Sequence, residues 1–217
     1  MFVGHYGVSF AAKRGDRTIP LWALFLAVQL LDVFWSVFVV AGLEKVRITP
    51  GITASNPLDL YYMPYTHSLV AALLWSLGAY VAYRAIRAFR ASHRAALLVA
   101  LAVFSHWMLD LVVHRPDLPL YDNTAKVGLG LWNYPAPAFL LEVAALFGGM
   151  FLYLRSTTAT TGLGRYGMPL FGVVMLAVQA IVFFGPPPAS DRAAAVTALG
   201  SYVLFAAVVG CLERRRV

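Results

Sequence analysis

The segment Ser105–His114 (SHWMLDLVVH) sets His106, Asp110 and His114 at i, i+4 and i+8. On a helix these three side chains share one stripe. Imidazoles beside a carboxylate suit zinc, manganese or iron, and a donor set without thiols is not that of a purely structural zinc site. The stripe lies in an apolar run from Ala95 to Val113. Ionisable groups in such a run are costly, and they face a partner, a metal or water. Paired axial ligation of haem by His67 and His106 is a weaker reading, because carboxylates beside haem iron have no obvious use.

The elements that must position this stripe follow from composition. Hydrophobic residues make up 60% of the chain and charged residues 12%, with a mean hydropathy of +0.72. A soluble domain is about a quarter charged, so the chain reads as one all-α integral membrane bundle. Six apolar runs reach the roughly 20 residues that a spanning helix needs: 20–43, 65–86, 95–114, 137–154, 168–184 and 193–212. The run that begins near Ile19 is of spanning length and reads as an uncleaved first helix. Cys211 is the one cysteine, which excludes an internal disulfide framework and a multi-thiol metal site.

The net charge of +7 could suggest nucleic acid, but the cations follow the helix ends. Most of the 17 Lys and Arg, including Lys13, Arg14, Arg84, Arg87, Arg90, Arg155, Arg165 and Arg214, fall on one side of the six runs. The positive-inside rule puts that side, and both termini, in the cytoplasm. The expected partner is the lipid bilayer, with no nucleic acid. Two long loops, 44–64 and 115–136, lie on the other side. Their Tyr61, Tyr62, Tyr65, Tyr121, Trp132 and Tyr134 read as an aromatic belt. Glu44, Asp59, Asp117 and Asp122 read as surface or turn residues, His93 as solvated, and Glu213 as uninformative.

Polar residues inside the runs are uneven. Gln29, Asp32 and Ser36 share a face of the first run, Thr66-His67-Ser68 opens the second, and Glu142 lies in the fourth. The last two runs carry scattered polar groups, with Gly172, Gly200 and Gly210 for close packing. Residues 1–145 therefore read as the site-bearing part and 146–217 as scaffold. At ~1.5 Å per residue, Asp32 lies about 18 Å from the cytoplasmic end of its run and His106 about 17 Å. Asp110 is one turn further out, and His67, His114 and Glu142 lie near outer ends. All fit one cluster in the outer half of the membrane. Residues 1–12 are apolar and short and read as a re-entrant segment. That places His5 about 12 Å deep, near Asp32.

In chain order, His5, Asp32, Thr66-His67-Ser68 and Ser105-His106-Trp107-Met108-Leu109-Asp110 resemble a bacterial family of membrane-bound metal-dependent hydrolases. The resemblance covers residues 1–145. That family is distantly similar to zinc-dependent phospholipase C and related single-strand nucleases, whose ligands run His, Asp, His, His-x3-Asp, His and His-x3-Glu around three zinc ions. It implies His5, Asp32, His67, His106, Asp110 and His114 as metal ligands, with Asp110 bridging two ions. The final pair departs, since Ala138 stands four residues before Glu142. The N-terminal Trp ligand is also absent. Both departures favour one or two ions over three.

The expected function is hydrolysis of a phosphate ester on a lipid or lipid-linked substrate, in the bacterial inner membrane, by metal-activated water. Asp110 and Glu142 are the candidate catalytic carboxylates, Glu142 as general base or as a partner behind the ligands. Arg115 is the candidate clamp on an anionic substrate. Two rivals use the same residues: a transit site in a metal-ion or proton transporter, and a polar cluster that only locks the bundle. A transporter needs a polar path to both faces, and the cytoplasmic halves of the second and third runs are apolar.

Overall fold

The computed structural model describes residues 1–87 and 92–217. Arg90, counted above in the basic flank, lies outside the described residues. The elements in order are α1 (His5–Gly15), α2 (Leu21–Val28), α3 (Leu30–Val40), β1 (Lys45–Ile48), β2 (Leu58–Tyr62), α4 (Leu69–Ile86) and α5 (His93–Val113). A 3-10 turn (Leu131–Asn133), α6 (Pro135–Ser156), α7 (Gly162–Phe184) and α8 (Asp191–Glu213) complete the chain. Among the described residues, five helices, α4 to α8, are long and apolar enough to cross a membrane, and α2 with α3 makes up to six.

Run 20–43, expected as one helix, is broken. α2 and α3 meet at 56° around Gln29, with neither Pro nor Gly at the break. Kinks of this kind arise where a side chain inserts into the backbone ladder. Here His106 Nδ1 sits 2.6 Å from the carbonyl oxygen of Val28, the last residue of α2. The Gln29 amide donates to the Phe2 carbonyl at 3.1 Å. The break thus frees a carbonyl that a continuous helix would use internally.

Helix α1 packs against α6 almost backbone to backbone. A Cβ added at Gly149 would lie 2.0 Å from the Gly7 carbonyl oxygen, and one at Gly7 would lie 2.0 Å from that of Ala145. Only glycine permits such an approach. Buried Tyr6 and Phe10 anchor the helix on Phe25 and Tyr153 through aromatic packing. At its far end Gly15 lies against Leu98, and Ser92 donates to Asp16. Helix α1 therefore runs antiparallel to the first half of α5, which brings His5 level with His106.

Lys13 meets Glu213 and donates to the carbonyls of Arg17 and Ile19, while Glu213 also accepts from Leu21 N–H. Glu213, uninformative in sequence, ties α1, α2 and α8 together at one end of the bundle. Gly172 and Gly210 pack against Met150 and Trp22, but Gly200 faces open space.

The opposite end carries a hairpin that the loop reading missed. β1 and β2 pair antiparallel, Arg47 opposite Asp59 and Ile48 opposite Leu58. With loop 115–134 they cover a small second core that includes Trp35, Leu60, Met63, Leu118 and Trp132. Gly128, at φ +157, is needed where this loop crosses the His114–Arg115 backbone, since a Cβ there would lie 2.2 Å from the Arg115 carbonyl oxygen.

Candidate metal centre

Each candidate ligand stands where local structure can hold it. His106 and Asp110 lie one turn apart on α5, and His114 follows at the extended C-cap. Asp32 is in the first turn of α3, where the helix dipole favours a carboxylate. In Thr66-His67-Ser68, the Ser68 hydroxyl caps α4 by accepting from Ala71 N–H at 3.1 Å, so His67 is fixed just ahead of a capped helix. His5 is the first residue of α1, with its ring stacked on that of His106 at 3.9 Å.

These residues converge on the two carboxylates. Asp110 Oδ2 lies 3.1 Å from His106 Nε2, 3.5 Å from His114 Nε2 and 3.7 Å from His67 Nε2. Asp110 Oδ1 lies 3.2 Å from His5 Nε2 and beside the Met1 backbone nitrogen. Asp32 Oδ1 lies 3.3 Å from His67 Nε2 and 3.6 Å from His106 Nε2.

The partners of the outer nitrogens assign the tautomers by inference from the hydrogen-bond network, with Nδ1 taken as the donor. His106 Nδ1 faces the Val28 carbonyl oxygen at 2.6 Å, His114 Nδ1 faces Asp117 Oδ1 at 2.8 Å, and His67 Nδ1 faces Thr66 Oγ1 at 2.7 Å. The Thr66 hydroxyl is itself committed to Glu44 Oε2 at 2.7 Å. Each Nδ1–H therefore has an acceptor, and each Nε2 lone pair points inward. The orienting partners are a backbone carbonyl and two carboxylates, one of them acting through Thr66, as metal-binding histidines require.

Imidazole nitrogens this close to carboxylate oxygens need a proton or a metal cation between them. His106 Nε2 is buried without a hydrogen bond despite its closeness to both carboxylates. Two ligands about 2.0–2.1 Å from one tetrahedral ion are about 3.3 Å apart. The separations of 3.1–3.7 Å among Asp32, His67, His106 and Asp110 match such ligand–ligand edges. His5, His106 and Asp110 could hold an ion, as could Asp32, His67 and His106. The two sets share His106 Nε2, and one lone pair serves one ion. The residues fit a divalent cation, with three protein ligands in either set and Asp110 Oδ2 within 3.7 Å of both His67 and His106. His5 and His114 lie on the remaining approaches to Asp110.

The other sequence candidates sit around this set. Glu142 is buried, and its oxygens accept from Phe2 N–H at 2.9 Å and Gly4 N–H at 2.6 Å. It anchors the segment that carries His5. Arg115 pairs with Asp59 and Asp117, and Asp59 also takes Arg47. Glu44, Asp59 and Asp117, expected on the surface, are buried; Asp122 is exposed. Burial pushes the Glu44 carboxyl above its ordinary value, against the pull of its bonds to Thr66 and Tyr65. His93 is exposed and contacts Tyr80.

The supposed scaffold helices also reach the centre. Tyr202 on α8 donates to Asp32 Oδ2 at 2.8 Å, and Gln179 on α7 accepts from Val3 N–H. A lone polar residue on an apolar helix was their only signal in sequence. Beside them opens a cavity of about 460 Å³. Its floor includes Asp32, His67, Asp110 and His114, and its walls are mainly apolar, with Val178 and Val182 from α7 and Ala194 and Ala198 from α8. Asp32 is the most exposed of the ligand side chains, at 15%. The centre is thus open on its Asp32 side.

The chain matches no family model, no curated protein and no solved structure.

Proposed function

We propose that this protein is a membrane-embedded, metal-dependent hydrolase that cleaves a phosphate ester of a lipid or lipid-linked substrate. The carrying observation is the convergence of His67 Nε2 and His106 Nε2 on the carboxylates of Asp32 and Asp110 at 3.1–3.7 Å, next to an apolar cavity. Asp32, His67, His106 and Asp110 hold the ion in this reading, zinc being the best fit to a compact N/O set, with manganese or iron as variants. A bound divalent ion supplies Lewis-acid activation of water near neutral pH and charge stabilisation at phosphorus.

The chain's own residues do the rest. Val28, Asp117 and the Thr66–Glu44 pair fix the imidazole tautomers. Tyr202 holds one oxygen of Asp32 and leaves the other facing the histidines. Glu142 holds residues 2–4 and thereby His5, which favours a positioning role over proton transfer. The opening at Asp32 exposes the ion's position to the cavity, so that water or substrate can reach it as a further ligand, which a catalytic centre needs. The apolar walls suit an alkyl or isoprenoid chain, with the ester placed at the polar floor. The resemblance to membrane-bound metal-dependent hydrolases points the same way and adds the bacterial inner membrane as the setting.

The test is metal analysis and lipid turnover on the purified chain. The wild type is expected to carry stoichiometric zinc, manganese or iron and to release phosphate or a phosphorylated head group from a panel of phospholipids and polyprenyl phosphates. Asp110→Ala is expected to lose both properties. Wild type without a bound metal, or Asp110→Ala with unchanged metal content, would end the hydrolase reading. Metal without turnover of any phosphate ester would move the centre to transport or structure.

A further inference from the structure

We propose that Glu44, acting through Thr66, sets the tautomer of His67 and so decides whether His67 can hold a metal. Glu44 is a positioning residue two hydrogen bonds away from the His67 ring, and its role rests on the metal reading above.

The relay runs as follows. Glu44 Oε1 accepts from Tyr65 N–H at 2.8 Å and Thr66 N–H at 3.0 Å. Glu44 Oε2 accepts from the Thr66 hydroxyl at 2.7 Å. An ionised carboxylate can only accept, so the Thr66 proton is committed to Glu44. Thr66 Oγ1 then offers only lone pairs to His67 Nδ1, 2.7 Å away. Nδ1 must therefore carry a proton, which leaves Nε2 as the nitrogen that can offer its lone pair to a metal beside Asp32 and Asp110. Glu44, Thr66 and His67 are all buried, so solvent does not compete for these bonds.

Glu44→Gln inverts this chain without removing a hydrogen bond. The two backbone N–H groups keep the amide oxygen at the Oε1 position. The amide NH2 must then face Thr66 and donate to Oγ1. The hydroxyl turns to donate to His67 Nδ1, and the ring proton moves to Nε2. A protonated Nε2 has no lone pair for a metal. Thr66→Val removes the relay outright, whereas Thr66→Ser preserves it.

The experiment uses the full chain in detergent, labelled with 15N-histidine and stripped of metal. Long-range 1H–15N correlations report which ring nitrogen carries the proton, with His67→Asn for assignment. Zinc affinity is then measured by competition with a chelating indicator. Wild type and Thr66→Ser are expected to carry a proton on Nδ1 of His67, whether or not Nε2 takes one from water once the metal is gone. Glu44→Gln is expected to show the Nε2–H form, with zinc affinity lowered about 10–100-fold, the usual scale for losing an orienting partner. If Glu44→Gln fails to fold, Thr66→Val against Thr66→Ser makes the same comparison. A Glu44→Gln protein that keeps the Nδ1 proton, or a wild type without one, overturns the relay. Should the tautomer follow Glu44 while no variant takes up zinc, the relay stands and the metal reading fails.

Discussion

Gly149→Ala tests whether the close crossing of α1 and α6 carries His5 to the centre. The added Cβ would lie 2.0 Å from the carbonyl oxygen of Gly7, 2.6 Å from its carbonyl carbon and 2.7 Å from its Cα. All three are backbone atoms, so no side chain can rotate away. Real Cβ contacts essentially never fall under 3.0 Å, so the helices must part by about 1 Å in a tightly packed interior. Overpacking of this kind costs roughly 1–3 kcal/mol, which is roughly 2–10 °C in melting temperature for a chain of this size. Gly7 is two residues from His5, so the ring moves by a similar amount. That takes His5 Nε2 off its 3.2 Å approach to Asp110. The assay is thermal unfolding in detergent with zinc titration, with Gly148→Ala as control because a Cβ there meets nothing within 4 Å. Gly149→Ala is expected to melt lower and to lose any zinc held through His5, while keeping an ion at Asp32, His67, His106 and Asp110. Equal melting temperatures for the two variants would refute the packing argument. A lower melting temperature with unaltered zinc binding would remove His5 from the centre.

Two further variants separate the metal set from the substrate space. Tyr202→Phe deletes the hydrogen bond to Asp32 Oδ2 and is expected to weaken zinc about tenfold, on the scale of an orienting contact; an unchanged competition titration would leave Tyr202 as packing only. Ala198→Phe fills part of the apolar cavity and is expected to raise KM for long-chain lipid phosphates with metal content unchanged. Short soluble phosphate esters should be cleaved as before, and an equal effect on both classes would contradict a chain-binding cavity.

Much of the fold was legible because a membrane makes its demands locally. Apolar length marks the helices, and a 3.6-residue period puts His106 and Asp110 on one stripe. A constant rise per residue let depth be counted, and it set His5, Asp32 and His106 at similar levels; the antiparallel course of α1 along α5 shows how His5 arrives there. Loop acids were misread, because polarity in a loop normally means solvent. Glu44 and Asp117 are buried instead because the hairpin and loop 115–134 close over them as partners for Thr66 and His114.

The sequence by itself determined the helical class, the donor types and the spacing that puts two of them on one turn. Tertiary structure decided what those donors can do. The break at Gln29 has no local cause in Pro or Gly; what accompanies it is His106, 78 residues away, against the Val28 carbonyl. Tyr202 reaches Asp32 across 170 residues, and Gly7 meets Gly149 with no periodicity to announce it. The direction of each Nε2 lone pair depends on what its Nδ1 finds, and for His67 and His106 that partner, or what binds it, comes from a distant element. The ligand types are therefore local chemistry, whereas their orientation toward one point is a product of packing.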